Sequence, residues 1–279
     1  MSQKKEKTIR NLILFSLIVI GLPWLGVFLD QGAGNPASEG LGILLWMAAP
    51  MLATLILRAF FGGGWKDFYL KPNFKGNGLW YLVSLLFYPV CLILIILIGR
   101  ILGVSAISGF TWADYGKAIL ASIPFALFKN LLVEEGAWYG FLGPKTYKLK
   151  KNRLLSHLFI GLIQGLWHAP YYFIFTEQSN LSAYTTQSPM MVFILTVIGA
   201  MTVAIVYGEI YLRVKSIWPL VLLHAVGSAV LVPLVMEGWL ALVPGKEWIG
   251  TPGADGLFSI LLSLGFGLIL MLKVPRETE

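Results

Sequence analysis

Apolar runs recur at regular intervals along the chain, separated by short polar segments rich in glycine, proline or lysine. They lie near residues 11 to 29, 41 to 61, 79 to 103, 116 to 143, 154 to 175, 189 to 211, 216 to 236 and 256 to 272. Most reach the roughly 18 to 20 residues that cross a hydrocarbon core about 30 Å thick. Backbone inside lipid must satisfy its own hydrogen bonds, so each run is expected to be a helix. The pattern predicts an all-α polytopic membrane protein with about eight transmembrane helices, organised as a single membrane domain over 1–279. No internal repeat is evident, and so the inverted-repeat signature of many secondary transporters is missing.

Composition agrees with this pattern. Of the 279 residues 57% are hydrophobic and 13% charged, and the mean hydropathy is +0.76, whereas a soluble domain is about a quarter charged. The net charge of +7 raises the question of nucleic acid. The basic residues, however, sit in short clusters between apolar runs rather than along an aromatic-studded face, so the expected surroundings are a lipid bilayer and no nucleic acid. The clusters lie around residues 4–10, 58–75, 145–153, 213–215 and 273–276, and include Lys150, Lys151 and Arg276. Only Arg100, Lys117, Lys129 and Lys246 fall elsewhere, and segments 30–40 and 176–188 hold no basic residue. By the positive-inside rule, eight spans with both termini in the cytoplasm satisfy this distribution.

Smaller features refine the picture. The first run resembles the start of a signal peptide but is long and lacks a small-residue cleavage site, so it is read as a retained helix. Cys91, the sole cysteine, lies in the run VCLILIILI and is expected to serve packing. GGGWKDFYLKPNFKGNG, between the second and third runs, is expected along the cytoplasmic surface.

Ionisable side chains inside spans are expensive unless paired or beside a wet cavity, which makes them functional candidates. Glu134 and Glu135 lie within FKNLLVEEGAWYGFL, His168 within GLIQGLWHAPYYF and His224 within SIWPLVLLHAVGSA. Lys129, Asn130, Gln164 and Ser228 are polar company on the same helices. Gln164 and His168 are four apart, as are His224 and Ser228, so each histidine shares a helix face with a polar neighbour. Adjacent Glu134 and Glu135 diverge by about 100° on an α-helix, so one is expected to do chemistry while the other holds structure. Two routes to amide hydrolysis fit a carboxylate with two histidines. The groups take a proton from water and stabilise the oxyanion, or they hold a zinc ion that activates the water. Spacing does not choose between the routes, and HExxH is absent. His157 is expected to be an interface residue, and Glu209 with Arg213 an ordinary helix ion pair.

VEEGAWYGFL resembles the EExxxR motif of the CAAX-protease and bacteriocin-processing family of membrane endopeptidases, GLIQGLWHAP resembles its FxxxH motif, and the His224 segment resembles its HxxxN motif. The match covers roughly residues 115–235, the catalytic core of the family type. The resemblance implies that Glu134 activates water with His168, which expels the amine. It implies further that His224 and Ser228 form the oxyanion site and that Glu135 supports it. It also implies a peptide or protein substrate reached from the membrane or the cytoplasm, of prenylated CAAX type or bacteriocin type, and a prokaryotic plasma membrane. Three positions depart from the motifs: Tyr139, which can only donate a hydrogen bond, replaces the arginine expected to neutralise Glu135; Gln164, expected to hydrogen-bond His168, replaces the phenylalanine; and Ser228 replaces the asparagine. They motivate a second reading, a non-catalytic bacteriocin-immunity or membrane scaffold protein that binds a peptide in the same cavity.

Overall fold

The computed structural model describes residues 3–34, 40–149, 152–176, 181–182 and 185–273. Lys150, Lys151 and Arg276 of the basic clusters lie outside the described residues, as do 35–39, 177–180 and 183–184 of the two segments without basic charge. The chain folds into α1 (Gln3–Ala33), α2 (Leu41–Ala59), α3 (Gly78–Ile101), α4 (Trp112–Lys129), α5 (Gly143–Leu149), α6 (Arg153–Trp167), α7 (Pro189–Val214), α8 (Trp218–Met236), a short α9 (Glu247–Gly250) and α10 (Leu257–Leu272). Strands β1 (Ser105–Ile107) and β2 (Leu240–Leu242) pair antiparallel, with Ser105 opposite Leu242.

The protein is thus an all-α polytopic membrane protein. Among the described residues seven helical stretches are long and apolar enough to cross a membrane. The eighth expected span, α10, is apolar but only 16 residues long, about 24 Å at the α-helical rise. The fourth crossing is one helical stretch of 38 residues, Trp112–Leu149. It contains two π-helical segments, Asn130–Glu135 and Trp138–Leu142. A third, Tyr171–Phe175, closes the fifth crossing.

Local chemistry sets several boundaries. The side chains of Thr111, Asn152 and Ser188 accept hydrogen bonds from backbone N–H groups three residues on, capping α4, α6 and α7. Lys215 ends α7 in the left-handed region, φ 52°. Helix α6 lies close on α7 because Gly161 and Gly165 face the Ala200 and Val197 backbones, where a methyl group would collide.

Two ends of the bundle are distinct. At the basic end Arg10 donates to the Phe61 carbonyl, Asn73 to that of Val214 and Arg153 to that of Met271. At the far end the β1–β2 ribbon and the contact of Thr186 with Glu247 join the loops. Between them the second π segment is wholly buried: Trp138 and Phe141 pack on Phe15 of α1, and Trp138 also meets Trp167 of α6. The 60–77 segment does not simply lie along the surface. It turns Asp67 inward to 7% exposure and lays the Phe68 ring against Gly140.

Candidate active site

The first π segment brings the two glutamates to the helix face that meets α8. Glu135 Oε1 lies 2.8 Å from His224 Nδ1, and Glu134 Oε2 lies 3.7 Å from the same nitrogen. The expected divergence of adjacent glutamates does not hold here, because a π turn closes i→i+5 bonds and is wider than an α turn, so neighbours separate by a smaller angle. The same winding explains a pairing that α-helical spacing hides: Lys129 Nζ sits 2.5 Å from Glu134 Oε1, five residues on. Lys129 therefore serves Glu134 and not Glu135.

His168 is the C-cap of α6. Its Nδ1 lies 2.9 Å from the Gln164 backbone carbonyl. A carbonyl only accepts, so Nδ1 carries the hydrogen and Nε2 of the neutral ring presents its lone pair. The Gln164 side chain is not the partner. The helix end is fixed by a reciprocal pair: Trp46 Nε1 donates to the Trp167 carbonyl and Trp167 Nε1 to the Trp46 carbonyl, each at 2.9 Å, with the rings stacked. The His168 ring lies 4.7 Å from that of Trp167.

Of the three departures, Tyr139 stands furthest from the role of the residue it replaces. It is 1% exposed, stacks on Tyr207, and its hydroxyl donates to the Ala204 carbonyl at 3.2 Å. His224, rather than position 139, is what pairs with Glu135. Ser228 lines a cavity of about 240 Å³ together with His224 and Tyr88, closed by residues 252–254 from the far end. Tyr207, whose ring lies 6.1 Å from that of His224, completes the surroundings. Spacing and motifs do not single out Tyr88 and Tyr207. Their one signal was a hydroxyl within an otherwise apolar span.

Among the described residues, Glu135 Oε2 and both side-chain polar atoms of Asn130, which is fully buried, have no hydrogen-bond partner. Zinc would call on His168, His224 and Glu134, a donor set of the right chemical type. Among the described residues no three His, Cys, Asp or Glu side chains stand close enough to hold a metal ion.

Outside the site, His157 is not an interface residue. It is fully buried, with Nε2 2.9 Å from Glu209 Oε1 and Nδ1 2.9 Å from the Tyr147 hydroxyl. Glu209 does pair with Arg213, at 2.6 Å, and also with Arg153 at 2.9 Å.

Fold and site together define a multi-pass integral membrane protein with an enclosed Glu/His centre drawn from three helices. Residues 116–230, which carry the three segments that resemble the motifs, match the family model of the type II CAAX prenyl endopeptidase Rce1-like proteins. No curated protein matches the chain.

Proposed function

We propose that the protein is an intramembrane endopeptidase that hydrolyses a peptide bond with water activated by Glu134 and His168. The observation that carries this reading is the convergence of Glu134 and Glu135 on one imidazole nitrogen of His224, with His168, its Nδ1 held by the Gln164 carbonyl, keeping the lone pair of Nε2 for proton transfer. Glu134 Oε2, the oxygen that Lys129 leaves free, accepts a proton as water adds to the scissile carbonyl. His168 Nε2 relays a proton to the departing amine, so water supplies the hydroxyl of one product and the hydrogen of the other. His224, as an imidazolium with its Nδ1–H on Glu135, lines the cavity that Ser228 also lines, where its Nε2–H and the Ser228 hydroxyl donate to the oxyanion. The substrate is a peptide or protein segment of prenylated CAAX type or bacteriocin type, reached from the membrane or the cytoplasmic side.

The test is cleavage of both peptide classes by purified protein, with Glu134→Ala and His168→Ala as controls and a chelator arm. Loss of cleavage in both variants and indifference to the chelator are expected. Full activity in both variants defeats the assignment. One observation favours the peptide-binding immunity or scaffold reading: the Lys129 ion pair occupies one of the two Glu134 carboxylate oxygens. Peptide binding or host protection that persists unchanged in both variants, without cleavage by the parent, would select that reading.

A further inference from the structure

A groove of about 970 Å³ opens at the basic end between α2, the 60–77 segment, the first π segment and the α7–α8 turn. Its floor is apolar, built by Met51 and Leu55 of α2 and by Leu131 and Leu132 of the π segment. Leu55 and Leu132 are 44% and 41% exposed, on a face of the bundle where lipid is the solvent. The rim carries Lys66, Lys71 and Lys215, all exposed. Among the described residues none of the three has a carboxylate partner; Asp67, the acidic residue of this segment, is already held by Arg58, Lys145 and Lys148. Trp65 and Trp218 stand on the same rim, and Trp218 Nε1 donates to the Leu70 carbonyl at 2.6 Å, fixing its ring there. Indole rings and ammonium groups in this arrangement suit the level of lipid headgroups.

Unneutralised positive charge above an apolar slot calls for an occupant with an anionic head and a hydrocarbon chain. A neutral lipid would fill the floor and leave three ammonium groups unmatched, and an acidic peptide would match the charge and leave the floor wet. We propose that this groove binds one anionic phospholipid, its phosphate against Lys66, Lys71 and Lys215 and an acyl chain along Leu131 and Leu132. The occupant then lies beside the turn that carries Glu134, without using any residue of the Glu/His centre.

The experiment titrates full-length protein in detergent with phosphatidylglycerol or phosphatidylcholine of equal chain length. Native mass spectrometry and tryptophan fluorescence report occupancy, since Trp65 and Trp218 line the groove. Phosphatidylglycerol is expected to bind preferentially, with one lipid retained per chain. The triple variant Lys66→Gln, Lys71→Gln, Lys215→Gln should weaken that lipid on the order of a hundredfold, about fivefold per lysine, and leave phosphatidylcholine unchanged. All three side chains are exposed, so the variant keeps its fold. Equal binding of the two lipids, or an unchanged preference in the triple variant, overturns the proposal. So does an acidic peptide or inorganic phosphate that takes the site with the same lysine dependence while phosphatidylglycerol does not. A parent protein that cleaves no peptide would defeat the endopeptidase reading and leave this result standing.

Discussion

Glu209 and Asp67, at the basic end, have both carboxylate oxygens engaged: Glu209 by Arg153, His157 and Arg213, and Asp67 by Arg58, Lys145 and Lys148. Glu134 and Glu135, in the middle of the bundle, are buried to a similar degree, yet Glu135 keeps one oxygen without a partner and Glu134 has one held only loosely by His224. Buried polar atoms are ordinarily satisfied, so an exception marks a place where something other than stability has set the arrangement. The cationic clusters have what is needed to hold helices together. The central pair has spare acceptor capacity, which a water or a substrate can use. The Arg58 guanidinium joins the regions, since it bonds both Asp67 and the Gly140 carbonyl in the helical stretch that carries the glutamates.

If that contrast is right, removing a carboxylate should cost stability at one place and turnover at the other. Glu209→Ala leaves two arginines and a buried histidine around an empty site, and is expected to destabilise by about 3 to 5 kcal/mol. Thermal unfolding in detergent would show it, and a wild-type melting temperature would deny the cluster its structural role. Glu134→Gln should do the reverse. It fills the same volume, its amide oxygen can still accept from Lys129, and that lysine is a third exposed, so folding should survive while peptide cleavage falls on the order of a thousandfold.

How much of this was readable beforehand depends on which residues had to meet. The crossings follow from run length and backbone chemistry alone, and the segments holding Glu134, His168 and His224 stood out because ionisable groups are rare in lipid. Contacts that depend on winding or on distant helices were hidden. Lys129 reaches Glu134 because the helix widens into a π turn, and the α-helical period gives no sign of that. His157 read as an interface residue because Glu209, its partner, arrives from α7, 52 residues later. The i,i+4 pair of Glu209 and Arg213 was legible for the opposite reason: one helix fixes it.

A subtler separation of the two regions comes from pH. Burial by itself would raise the Asp67 carboxyl, but hydrogen bonds from Lys148, Lys145 and Arg58 hold it down to about 2 from an ordinary 3.8. A carboxyl lowered on folding contributes stability above its unfolded value and loses it as pH falls through the folded one. The contribution, about 2 kcal/mol, should therefore be complete above roughly pH 4 and vanish toward pH 2. Melting temperatures at pH 5 and pH 3 should differ more in the parent than in Asp67→Asn. An equal drop in both would show that the 60–77 segment is held by Phe68 and its neighbours rather than by charge.

The smallest expected effect falls on Tyr139, where the family motif has arginine. If this tyrosine stood in for the arginine by supporting Glu135, Tyr139→Phe would impair cleavage. Its hydroxyl instead meets the Ala204 carbonyl on α7, and its ring lies between Tyr207 and Tyr211. Removing the hydroxyl should cost about 1 kcal/mol for one buried hydrogen bond and leave turnover within about twofold. His224→Phe, which takes away the group that does pair with Glu135, should abolish turnover under the same conditions. A large turnover loss in Tyr139→Phe with unchanged melting would move the support of Glu135 back to position 139. The expected pattern means that Glu135 is held by a histidine from another helix, and not by the residue one turn along its own.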